Sequence, residues 1–130
     1  MIQLIRQACN DGGKLEQVLE SSFQPHSRLI DGLELRFETL TLCITAVAED
    51  DTVALSLGSL DRQSLKSSNR FLSQCLGKSL QWAWLTTNQQ GYTDGIRLEF
   101  QDQSGAAAVI LDIVVAASVL NFYKVEPIEL

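Results

Sequence analysis

Residues 31–38 read Asp31-Gly32-Leu33-Glu34-Leu35-Arg36-Phe37-Glu38, and residues 94–101 read Asp94-Gly95-Ile96-Arg97-Leu98-Glu99-Phe100-Gln101. Both open on Asp-Gly, both alternate apolar with polar side chains, and the polar positions 34/97 and 36/99 exchange Glu and Arg, while Glu38 is matched by Gln101. The likeness continues upstream, where Gln7-Ala8-Cys9 precedes Gly13-Lys14 and Gln74-Cys75 precedes Gly77-Lys78. Self-similarity of this kind determines how the whole chain is parsed. It predicts two related halves, residues 1–58 and 69–125, joined by a polar connector over 59–68 in a single domain spanning 1–130. In each copy the strict alternation marks a strand with one dry and one wet face.

Working outward, Ile2, Ile5 and Cys9 share one face of a short helix that the glycines at 12 and 13 stop. Leu15 to Phe23 reads as a strand and Gln24-Pro25-His26-Ser27 as an exposed turn. After residue 38 the apolar positions move to even numbers (Leu40, Leu42, Ile44, Ala46), which requires a turn or bulge near Glu38-Thr39. Glu49-Asp50-Asp51-Thr52 reverses the chain into Val53, Leu55 and Leu57. Phe71, Leu72, Cys75 and Leu76 predict a second short helix, stopped by Gly77. Leu80, Trp82 and Trp84 alternate as a strand, and residues 107–115 are apolar on both parities, predicting cover on both faces. Val119 to Val125 closes the sheet and Pro127 ends pairing. The expected class is α+β, a mainly antiparallel sheet with two short helices on one face.

A chain of 130 residues with 45% hydrophobic and 20% charged residues has a globular composition. Its net charge of −6 argues against nucleic-acid binding by phosphate neutralisation. The three cysteines, Cys9, Cys43 and Cys75, stand far apart, so free thiols are expected and no metal site or cofactor is. The N-terminus lacks a signal-peptide pattern, and Ala106 to Leu120 is interrupted by Asp112 and too short to span a bilayer. The expectation is a cytoplasmic protein with no membrane partner.

Chemistry-bearing residues concentrate between Trp82 and Asp94. Trp82, Trp84 and Tyr92 offer ring area, and Asn88 and Asp94 offer hydrogen bonds to a polar ligand. The same residues suit a bland reading, in which Asn88, Gly91 and Asp94 shape a turn and the two tryptophans fill core. Asp112 interrupts an apolar run, so it sits at an exposed edge, pairs with Arg97 on a neighbouring strand, or is costly and functional. His26 is the chain's sole histidine, and Gly12-Gly13-Lys14 lacks the spacing of a phosphate-binding loop. Glu49, Asp50 and Asp51 read as solvated turn carboxylates. No catalytic constellation is legible.

The segment Asn88-Gln89-Gln90-Gly91-Tyr92-Thr93-Asp94, followed by Ile96-x-Leu98-x-Phe100, resembles a family of small uncharacterised bacterial domains over about residues 77–125. That resemblance implies a compact α+β domain without an assigned activity. The favoured functional reading is a non-enzymatic protein-interaction or regulatory module that binds itself, as a homodimer, or another protein through an exposed sheet face or edge. The alternative is a small-ligand-binding protein or enzyme with a pocket near the Trp82–Asp94 hairpin, drawing on Trp82, Trp84, Asn88, Tyr92, Asp94 and Asp112.

Overall fold

In the computed structural model the described residues are 1–22, 29–60, 65–68, 71–105, 108–126 and 128. The chain begins with helix α1 (Ile2–Asp11) and continues through strands β1 (Leu15–Ser21), β2 (Gly32–Phe37), β3 (Thr41–Val47), β4 (Thr52–Leu57) and β5 (Lys66–Ser67). A 3-10 turn (Phe71–Cys75) leads to β6 (Ser79–Thr87), β7 (Thr93–Gln101), β8 (Val109–Ala116) and β9 (Val119–Val125). The strands form two antiparallel sheets, ordered β4-β3-β2-β1-β5 and β6-β7-β8-β9. The fold is therefore essentially all-β, and the expected α+β class with two helices on one sheet is overturned. The second helix fails because five residues before Gly77 are too few to offset the cost of α-helix nucleation. They form a tight turn that buries Leu72 and Cys75 instead.

One buried cluster joins the two sheets. Directly opposed residues in antiparallel strands share a face, so Val18, Leu35 and Leu42 form one inward row of the first sheet. Ala83, Leu98 and Leu111 form an inward row of the second. Phe37 and Phe100 hold the same place in the two matched stretches, and their rings stack with centroids 6.4 Å apart. A pair of this kind contributes about 0.5–1.5 kcal/mol beyond the area it buries. Nearby, the sheets are stitched by backbone: Leu15 N–H donates to Lys78 O and Gly77 N–H donates to Leu15 O, both at 2.8 Å. Gly13 and Gly77 enter this seam at φ of 77° and 81°, which glycine adopts without steric cost.

The outer faces differ. Glu34, expected on a wet face, is fully buried. The connector lies against it, with Leu60 N–H donating to Glu34 Oε1 at 2.8 Å, while Arg36 pairs with the other oxygen. Further along, β5 pairs with β1 and Ser68 N–H donates to Val18 O, so the connector is partly a strand. On β8 the expectation of two covered faces is overturned in the opposite sense: Ile110, Asp112 and Val114 are only half-buried. The first strand runs over Leu15–Ser21, and its expected end at Phe23 lies outside the described residues. The readings of Gln24-Pro25-His26-Ser27 and Pro127, and of residues 61–64 of the connector, lie outside the described residues. Among the described residues, no helix is long and apolar enough to cross a membrane.

Candidate functional site

The two exposed tryptophans of the second sheet are placed by an irregularity in β6. Leu80 opposes Phe100 and Trp82 opposes Glu99, so Gln81 is an extra residue and the register shifts across it. A bulge of this kind exchanges the faces of everything beyond it. Leu80, Ala83 and Leu85 point inward, and Trp82 and Trp84 turn out to solvent with 60% and 47% of their surface exposed.

Four residues then lie in direct register across the outer face: Trp84 on β6, Arg97 on β7, Asp112 on β8 and Tyr123 on β9. At about 4.8 Å per strand the row is roughly 14 Å long. Its centre is a two-pronged ion pair in which Arg97 Nε and Nη2 donate to Asp112 Oδ1 and Oδ2 at 2.7 and 2.9 Å. Those hydrogen bonds, with the carboxylate charge behind them, hold the guanidinium pKa above its usual value. Asp112 thus occupies an interior strand and is partnered. Tyr123 closes the row with 56% of its surface exposed. The adjoining row reads Trp82, Glu99, Ile110 and Val125.

The remaining candidates sit elsewhere. Asn88 Oδ1 accepts the N–H groups of Gln90 and Tyr92 at 2.9 and 3.2 Å, and Gly91 takes a φ of 85°. This side chain shapes the β6–β7 turn. Asp94 accepts the Thr86 hydroxyl at 3.4 Å, and Tyr92 is half-exposed at the same turn. The structure brings Trp82, Trp84 and Asp112 to one sheet face, together with Arg97 and Tyr123, and leaves Asn88, Tyr92 and Asp94 at one end of it. Tyr123 was missed because its face becomes legible only once the two-residue turn before β9 sets the register.

Beside this face, α1 packs along β6 and leaves two open grooves. One, of about 270 Å³, is lined by Arg6, Cys9, Gln81 and Trp82 among others; the second, of about 310 Å³, by Ile2, Ile5, Ala83, Trp84 and Leu85. Both are at or below the small end of ligand sites. The cysteines are free. Burial pushes the Cys43 thiol up to about 11 and the Cys75 thiol to about 12, and raises Cys9 as well. Such thiols stay protonated and are poor nucleophiles near neutral pH. Among the described residues no cluster of His, Cys, Asp and Glu is placed to hold a metal ion.

These features define an antiparallel two-sheet protein with one sheet face strapped by its own connector and the other presenting aromatic rings around an ion pair. The chain belongs to a family of unknown function, DUF6334, which it matches over residues 3–129. No curated protein and no solved structure matches it.

Proposed function

We propose that this protein is a non-enzymatic interaction module whose docking surface is the outer face of the four-stranded sheet. The observation that carries the reading is the exposed row Trp84, Arg97, Asp112 and Tyr123, with Trp82 beside it. Tryptophan, tyrosine and arginine are the residue types that dominate protein–protein binding energies, because each combines large contact area with a directed polar group. Contiguous exposed patches of this kind mark interaction sites. We read the Asn88-x-x-Gly91-Tyr92-x-Asp94 segment as the family's turn signature, and the halves as copies of one unit in a single domain. The matched Phe37 and Phe100 and the matched Gly13 and Gly77 support that second reading.

The test is a photo-crosslinking amino acid placed at position 84, with position 54 on the five-stranded sheet as control, irradiated in the native host cell. The expected result is a protein adduct from position 84 and none from position 54. Absence of an adduct at 84, or equal adducts from both positions, contradicts the reading. The grooves beside α1 favour a second reading, in which an apolar small molecule wedges between Ile5, Trp84 and Leu85. A crosslink from position 84 to a small molecule rather than a protein would select it.

A further inference from the structure

We infer that the partner seated on this face is a second copy of the chain, an inference that rests on the docking-surface reading above. A face binds its own copy about a twofold axis only if the residues on one side of the axis suit those on the other. The central row has that property. It reads aromatic, cation, anion, aromatic: Trp84, Arg97, Asp112, Tyr123. An axis lying in the interface between β7 and β8, close to the strand direction, reverses the row. Trp84 then meets the partner's Tyr123, Arg97 meets the partner's Asp112, and symmetry repeats both contacts. An axis along the row would instead set each charge against itself, which repulsion disfavours.

The neighbouring rows agree with the same axis. Val114 falls over the partner's Gly95, which is flanked by the Thr86 and Val114 side chains of its own sheet, and Trp82 meets the partner's Val125. Glu99 is the one poor match, opposite the partner's Ile110; it lies off the central row and already accepts the Gln101 amide at 2.6 Å. Two sheets packed this way lie about 10 Å apart with strands within about 30° of each other, as in ordinary sandwiches. The rings also supply a good part of the area a dimer needs. With Trp82, Trp84 and Tyr123 exposed at 60%, 47% and 56%, these rings alone offer roughly 300–400 Å² per copy, towards the ~800 Å² that each side of a standard interface contributes.

The experiment is a charge exchange on the full chain, read as solution mass from about 1 μM to about 1 mM, a range spanning weak to moderate self-association. Wild type is expected to be dimeric at the upper end. Arg97→Asp and Asp112→Arg, each alone, should raise the dissociation constant at least tenfold. An equimolar mixture of the two variants should recover the dimer, because each charge then meets its opposite across the axis. Near-UV circular dichroism checks that both variants fold. Should either fail to fold, the exposed Trp84→Ser variant replaces it and is expected to be monomeric. A monomeric wild type, variants that dimerise like wild type, or a mixture that stays monomeric overturns the inference. A monomeric wild type that still yields a position-84 protein adduct of foreign mass overturns the second copy alone; loss of the adduct overturns the docking-surface reading itself.

Discussion

Burial of Cys75 has a thermodynamic consequence at high pH. Desolvation lifts its thiol from the ordinary value of 9.0 to about 12, and lifts Cys43 to about 11. The folded protein then holds these protons where the unfolded chain releases them. The stabilisation is complete below about pH 9 and is lost as pH rises through the folded values. Urea midpoints should therefore fall steadily above pH 9 in wild type, and fall less steeply in Cys75→Ala. A flat profile up to pH 11 would contradict the burial of these thiols. Near neutral pH the same protonation predicts that native protein reacts with thiol reagents far more slowly than unfolded protein.

At the scale of elements, turns and bulges decide which faces meet solvent. Ala117 and Ser118 make the two-residue turn between β8 and β9, both at positive φ (52° and 67°). Such a turn favours Asn-Gly, so the native pair is strained. The double substitution Ala117→Asn/Ser118→Gly should raise stability by about 0.5–1 kcal/mol, measured by chemical denaturation. Glycine at 118 keeps the N–H that donates to Asp51 Oδ1 at 2.9 Å. Asp51 is the exposed turn carboxylate that the sequence suggests, and through this bond it also ties the β3–β4 turn to the β8–β9 turn. Strands were legible from alternation because inward rows of Leu, Ile and Phe repeat every second residue. The direction of the tryptophans was not. Leu80, Trp82 and Trp84 share parity, and only the extra Gln81 opposite β7 separates them. A bulge depends on pairing with another strand, and no local signal in β6 announces it. The burial of Glu34 was hidden for a similar reason: its cover, Leu60, arrives from a distant connector.

Across the whole molecule, the two sheets share one core but present unlike exteriors. The first is overlain at Glu34 by the connector. The second exposes both tryptophans of the chain on one face. The strands β2 and β7 were readable from the alternation at 31–38 and 94–101, whereas the separation into two sheets was not, because alternation reports a strand's faces and not its neighbours. If a second copy seats on β6–β9, that outer face is covered in the associated protein. Since Trp82 and Trp84 are the chain's two tryptophans and both lie there, intrinsic emission reports on that face directly. The decisive measurement is the emission maximum through a dilution series, read beside the solution mass. Blue-shifted emission is expected in the associated state, with a red shift on dilution that tracks dissociation. Emission typical of water-exposed indole at every concentration, in a chain whose mass nevertheless doubles, would place the interface elsewhere and contradict that seating.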